Sequence, residues 1–195
     1  MGYSIEAILT NSRQVRKVVG SKDITYLDSI RYDPDEEYDF YLEDYFDLSS
    51  GELSTKQLMA NIIIGDMHTN YLHLQLDKTK EKFALSAIGA VYSYLERDMH
   101  RHFGKTINRN ADGWPMLTEY LEDFEPRSRP WFTHPVSRDF PHVYSIGLSE
   151  VETYKPLYVQ RLKEKFPNTP ELIEDLEFIF GEMQKEKMGL FLVNS

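Results

Sequence analysis

The sequence predicts an α+β fold, with helices gathered around one long central helix and a small sheet joining the two ends of the chain. Three observations predict it. Residues Asp77 to Gly104 form the longest uninterrupted periodic segment, with Leu85, Ile88, Tyr92, Leu95 and Met99 recurring at steps of three and four. Short strand-length apolar runs stand near each end, Tyr3 to Thr10 and Leu190 to Val193. Between them lie several shorter helical patterns, each with its own start and stop signals. A chain of 195 residues with 41% hydrophobic residues can bury one substantial core, and a single domain over residues 1–195 is expected.

Taken in order, YSIEAILT reads as the first strand. Ile8 breaks strict alternation, which is the mark of a strand covered on both faces. Asn11 or Ser12 then caps a short helix carrying Val15, Val18 and Val19, ended by Gly20. Ser21 is placed to cap the next helix, with Ile24, Leu27 and Ile30 as its stripe and Asp23 in its first turn. Ser54 caps a helix with Leu58, Met59, Ile62 and Ile63 inside and Gly65 at its end. Residues Asp66 to Leu76 connect to the long helix, capped at Asp77 or Thr79 and closed at Gly104. That helix would span roughly 40 Å at 1.5 Å per residue, and Ser86, Ala90 and Ser93 let a second element approach its other face.

After Gly104 the residues KTINRNADG read as a polar loop, and Asp112 or Gly113 starts a helix with Pro115 in its first turn. Glu125 to Pro141 has four prolines and no period, so it is expected to be irregular and pinned by Trp131, Phe132 and Phe140. His142 to Gly147 is a short strand candidate. Ser149 to Glu152 matches a capping box, and Pro156 falls inside the helix it would open. Thr169-Pro170 opens a last helix with Leu172, Leu176, Ile179 and Met183 as its stripe, stopped by Gly189. The terminal strand after it needs a partner for its backbone groups, and the first strand is the obvious one.

The composition narrows the function. No run of about 18 apolar residues exists, so no membrane span is expected. The N-terminal stretch lacks a basic region followed by an apolar one, so no secretory signal is expected, and Gly2 leads into a buried-strand pattern rather than a lipidation signal. The absence of cysteine removes disulfides, thiolate metal sites and cysteine nucleophiles, and it fits the reducing cytoplasm, where we expect the protein to act. The net charge of −10 argues against direct nucleic-acid binding, which requires a basic footprint.

That charge is concentrated. Asp33, Asp35, Glu36, Glu37, Asp39, Glu43, Asp44 and Asp47 contribute eight negative charges with no basic residue among them, which leaves −2 for the rest of the chain. Six aromatic and aliphatic residues, Tyr38, Phe40, Tyr41, Leu42, Tyr45 and Phe46, are interleaved with them, so part of the stretch must be ordered. Clustered carboxylates repel, and a basic partner would relieve that cost while gaining a faster association rate. The plain alternative is a solvated loop whose aromatics fill the core. A calcium loop is a poor reading, because Tyr38 stands where the sharp turn needs glycine and Asp44 where the bidentate glutamate belongs.

A second candidate carries the opposite charge. Arg127, Arg129, His134, Arg138 and His142 cluster with Trp131, Phe132 and Phe140, a set able to hold phosphate and stack on a base. The same arginines could instead pair with the acidic stretch. The six histidines include no H-E-x-x-H, and His100 and His102 would diverge by about 200° on a helix, so no metal site is expected. No nucleophile elbow, P-loop or dinucleotide fingerprint is present, so no catalytic residue or cofactor is assigned.

Two bacterial groups share pieces of this pattern. Tyr3-Ser4-Ile5, Gly20-Ser21-Lys22-Asp23 and Asp139-Phe140-Pro141 resemble a bacterial family known only as a domain of unknown function. Ser149 to Val193, a capped helix, a long helix and a last apolar strand, resembles the YfbM-like family. These resemblances, over about half of the chain, imply an α+β fold with adjoining terminal strands, and they bring no catalytic residues to carry over. They also imply a likeness to immunity proteins that lie beside toxin genes. The expectation is a binding protein, immunity- or antitoxin-like, that occludes a basic toxin. Asp35, Glu36, Glu37, Asp39, Glu43 and Asp44 would supply charge, and Tyr38, Tyr41 and Tyr45 contact area. The alternative is an enzyme or nucleotide-binding protein built on the arginine-aromatic segment.

Overall fold

The computed structural model describes residues 5–30, 38–107 and 142–194. Strand β1 (Ile5–Thr10) is followed by helices α1 (Ser12–Val18), α2 (Tyr26–Ser29), α3 (Phe40–Glu43) and α4 (Thr55–Ile64). Next come the long α5 (Glu81–Phe103) and strands β2 (Gly104–Ile107) and β3 (His142–Ile146). Helices α6 (Val151–Lys165) and α7 (Pro170–Glu186) and strand β4 (Gly189–Asn194) complete the described chain. The fold is α+β. Its four-stranded sheet is antiparallel throughout in the order β2-β1-β4-β3, so the strands nearest the two termini lie side by side at its centre.

The two faces of β1 explain its nearly continuous apolar run. Ala7 and Leu9 point with Leu190, Leu192, Ile146 and Ile107 towards α6 and α7. Ile8 points the other way with Val143, Phe191 and Val193, to the side where α5 lies. Both faces are therefore buried, as the broken alternation predicts. Helix α7 meets the first face through Leu172, Leu176, Ile179 and Met183, each buried. A third core lies between α5 and the helices α1 to α4, where Ile62, Leu58, Ile88, Tyr92 and Leu95 pack together.

Two of the predicted N-caps, Asn11 and Ser54, close their helices, while Thr169 makes no side-chain cap bond. Asn11 accepts from the Gln14 amide, and Ser54 from the Gln57 amide. Gly20 and Gly65 both adopt left-handed φ, +72° and +82°, which favours glycine, and a Cβ added at Gly65 would also crowd the Gly20 Cα at 3.2 Å. Pro170 opens α7, which ends at Lys187 in left-handed conformation (φ 56°) ahead of Gly189.

Several expectations are corrected. The helix expected from Ser21 is one turn, Tyr26–Ser29. Ser21 accepts from the Asp23 amide instead, and Ile24 stands 64% exposed because residues 20–22 are held to the end of α4 by bonds from the Gly20 and Lys22 amides. Asp77 caps a separate 3-10 turn, so α5 starts at Glu81, and Leu85 is exposed while the rest of its predicted stripe is buried. Lys105–Ile107 is strand rather than polar loop, paired along β1. The capping carboxylate before α6 is Glu150, which accepts from the Gly147 amide at 2.8 Å, whereas Glu152 accepts from Gln184. The helix expected after Asp112 and the prolyl segment to Pro141 lie outside the described residues.

Candidate functional site

The acidic-aromatic stretch is fastened to α5 by its tyrosines. Tyr38 is buried; its hydroxyl donates to Asp98 Oδ2 at 2.7 Å and accepts from Arg97 Nη2 at 2.6 Å. Its ring stacks on Tyr94 at 5.0 Å between centroids, and the Arg97 guanidinium lies over both rings. Tyr41 adds a hydroxyl contact to Tyr94 at 2.9 Å with its ring stacked 5.3 Å away. Tyr38 therefore offers no contact area to a partner, which corrects its assignment as a surface anchor. Tyr41 and Tyr45 are half-buried against the helical core.

Phe40 takes the outward position instead, 56% exposed, with its ring 4.0 Å from that of Tyr41. One helical turn cannot point all of Tyr38, Phe40 and Tyr41 inward, and the side chain between the two fastened tyrosines is the one left outside. Asp39 is committed internally: Oδ1 accepts from the Thr55 amide at 2.5 Å and from its hydroxyl at 2.6 Å, at the start of α4. Glu43, Asp44 and Asp47 are exposed. The Asp47 carboxyl is held below its usual range by hydrogen bonds from Ser49. Asp35, Glu36 and Glu37 lie outside the described residues.

Beneath this surface is a buried charged cluster on the last turns of α5. Arg97 Nε donates to Asp98 Oδ1 at 3.2 Å, and Arg101 Nη1 approaches the same oxygen at 3.5 Å. Arg101 also grips Glu6 of β1 with two bonds, 2.7 and 2.6 Å, and Thr106 donates to the same glutamate. Burial pushes the Asp98 carboxyl up, against the opposing pull of Arg97, the Tyr38 hydroxyl and Arg101. The cluster thus joins the sheet, α5 and the acidic-aromatic turn. Periodicity alone missed it, because the stripe through Leu95 and Met99 says nothing about partners for the charged residues between and after them. The available signal was that small and apolar residues already cover most faces of the helix up to Leu95, so its continuation had to be buried too.

One turn along, Thr10 Oγ1 lies 2.5 Å from His100 Nδ1, and Glu96 Oε1 lies 3.7 Å from His100 Nε2. The imidazole stacks on Phe191 with 4.0 Å between centroids. Hydroxyl, imidazole and carboxylate follow the order used in acyl transfer. All three side chains are at most 1% exposed, however, so no substrate reaches them in this conformation and the trio serves to seal α5 to the sheet. Burial lowers the affinity of His100 for a proton, despite Glu96 beside it.

The sign of the resulting pH dependence is definite. Below about pH 6.5 the unfolded histidine takes up a proton that the folded one resists, so stability falls on acidification by up to about 1.4 kcal/mol per pH unit. Urea unfolding at pH 7 and pH 5 checks this: the loss between the two should be smaller in His100→Gln than in the parent. Equal losses would show that His100 is not the group responsible.

Three further histidines lie among the described side chains. His68, His73 and His102 are exposed, and His73 pairs with Glu52 at 3.1 Å. Among the described residues no group of three or more histidine or acidic side chains is placed to hold a metal ion. Of the arginine-aromatic alternative, Arg127, Arg129, His134 and Arg138 lie outside the described residues, and the backbone of His142 begins β3 opposite Asn194. No described helix is long and apolar enough to cross a membrane. A scan of protein-family models, a search of curated proteins and a search of solved structures each return no match to this chain.

Proposed function

We propose that this chain works by binding a basic protein through its acidic-aromatic surface, as an immunity- or antitoxin-like inhibitor occluding a toxin. The observation that carries the reading is the exposed Phe40, set between two tyrosines fastened to α5, with the exposed carboxylates of Glu43, Asp44 and Asp47 in the same segment. A large exposed aromatic is the kind of residue that dominates interface energies, and the fastening of its neighbours Tyr38 and Tyr41 to α5 lowers the cost of ordering the backbone that carries it. The carboxylates would steer a basic partner and fix its orientation. Tyr41 and Tyr45 would contribute the edges they leave uncovered, and Asp35, Glu36 and Glu37 would extend the same charge.

The test is affinity capture from the native cell, followed by binding kinetics with the captured protein. Glu43→Lys/Asp44→Lys/Asp47→Lys should slow association about tenfold or more and flatten its salt dependence. Phe40→Ala should mainly speed dissociation, weakening binding by about 2 kcal/mol, or roughly 30-fold. If both variants bind the partner as the parent does, the surface is not the interface.

A further inference from the structure

The chain has a second concave surface, remote in charge character from the first. A cleft of about 530 Å³ opens beside the end of β1, with walls formed by α1, the residues after β3 and the turn between α7 and β4. Buried Thr10 forms part of its floor, and Arg13, Lys17 and Lys187 line it. All three cations are exposed, and among the described residues no carboxylate pairs with any of them. The one acid in the lining, Glu186, is engaged 3.2 Å from Lys105. A chain of net charge −10 thus gathers three uncompensated cations around one cavity.

Lys187 sharpens the point. Its φ of 56° is left-handed, where helices ordinarily end on glycine or asparagine, and a lysine there carries a backbone cost that glycine would not. That residue lines the same cleft as Arg13 and Lys17 of α1. Strained residues gather at ligand sites, where the side chain matters more than the local cost. Leu148, which is 37% exposed, gives the same cavity an apolar wall. The volume falls within the range of small-molecule sites and exceeds what a bare phosphate fills.

We infer that this cleft binds a small phosphate-bearing molecule of nucleotide size, with Arg13, Lys17 and Lys187 on its phosphates and Leu148 against its ring. Arginine supplies a two-pronged contact to phosphate and lysine a point charge. The inference is independent of the acidic surface, which lies on other elements.

Titration calorimetry of the full chain with ADP, inorganic pyrophosphate and adenosine tests it. ADP should bind with a Kd below about 1 mM, pyrophosphate more weakly, and adenosine not measurably. Arg13→Gln/Lys17→Gln/Lys187→Asn should weaken ADP by about 30-fold or more, since each lost charge-assisted contact matters. Asparagine keeps the left-handed turn, and the three positions are exposed, so an unchanged Tm certifies folding. The single variant Lys187→Asn should show part of the loss if the triple variant fails to fold. Glu43→Lys/Asp44→Lys/Asp47→Lys should bind ADP as the parent does. No binding of ADP or pyrophosphate at 1 mM overturns the inference, and so does equal binding by the parent and the cleft variants.

Discussion

Arg97→Met is expected to destabilise the folded chain by about 3–5 kcal/mol, because it removes one member of a buried charge pair and leaves the other. Among the described residues, Asp98 would keep the Tyr38 hydroxyl and the more distant Arg101 as partners. Its carboxyl is already pushed up by burial, and losing Arg97 pushes it further. The pH dependence follows from that direction. A raised carboxyl binds its proton more tightly folded than unfolded, so its ionisation costs stability as pH rises through the folded value. The deficit of Arg97→Met relative to the parent should therefore be largest near pH 7 and shrink on acidification, as Asp98 protonates. Urea unfolding at pH 7 and pH 5 measures both quantities.

Two companions separate the pair from its surroundings. Arg97→Met/Asp98→Leu should recover part of the loss, because a pair removed together leaves no stranded charge. Tyr38→Phe keeps the stacked ring and removes one hydroxyl, costing about 1–3 kcal/mol. A deficit under about 1 kcal/mol for Arg97→Met would mean that the cluster is not what holds the acidic-aromatic turn. If it does hold it, all three changes should also make residues 38–47 exchange amide protons faster, and partner binding through Phe40 should weaken without any change at the surface itself. Stability and the proposed binding surface meet at one contact, the Tyr38 hydroxyl between Arg97 and Asp98.

Gly104→Ala should cost about 3 kcal/mol or more, at or beyond the upper end for overpacking. Gly104 stands where α5 passes directly into β2 with no loop between them. The sequence suggests a helix-ending glycine in left-handed conformation, yet its φ is −131°. Its reason is space. An added Cβ would overlap the carbonyl oxygen of Leu9 and lie 2.5 Å from that of His100, with Ile8 Cγ2 at 3.1 Å. Both oxygens are backbone, one on the central strand and one on the long helix, so neither can swing aside as a side chain would. Relief requires β2 to part from β1 or the last turn of α5 to unwind, which would disturb His100 and its contact to Thr10.

The contrast is Gly181→Ala. Beyond the adjacent backbone of its own helix, nothing lies within 4 Å of its added Cβ in α7, so it should stabilise the chain by about 0.5–1 kcal/mol through helix propensity. Parallel urea curves of the two variants would show opposite shifts. A neutral Gly104→Ala would mean that the helix-to-strand junction is looser than its geometry implies.

The pattern of success in reading the sequence follows the range of the forces involved. Asn11, Ser54 and Pro170 mark helix starts because a cap acts within one turn of itself. The stripe of α7 was readable because apolar periodicity needs no knowledge of the partner. The same logic failed for Ser21, whose side chain serves the Asp23 amide, and for Lys105–Ile107, which is strand only because β1 runs beside it. Phe40 was overlooked as an anchor and Tyr38 mistaken for one, since their chemistry is nearly equivalent until something decides which ring is covered.

By itself, then, the sequence determined the class of object: an acidic α+β chain, two-sided at its first strand, with its end strands paired and a long helix at its centre. Tertiary structure alone decided where the charges of that helix go. Tyr38 meets Asp98 across 60 positions, Thr10 meets His100 across 90, and Arg101 meets Glu6 across 95. A charged residue is worth burying only when its partner is in place, and the partner's place is a property of the whole fold rather than of any local stretch. For that reason the sequence assigns no partner to the charges at the end of α5, and the fold makes them the joint between the sheet, the helix and the surface that we propose for binding.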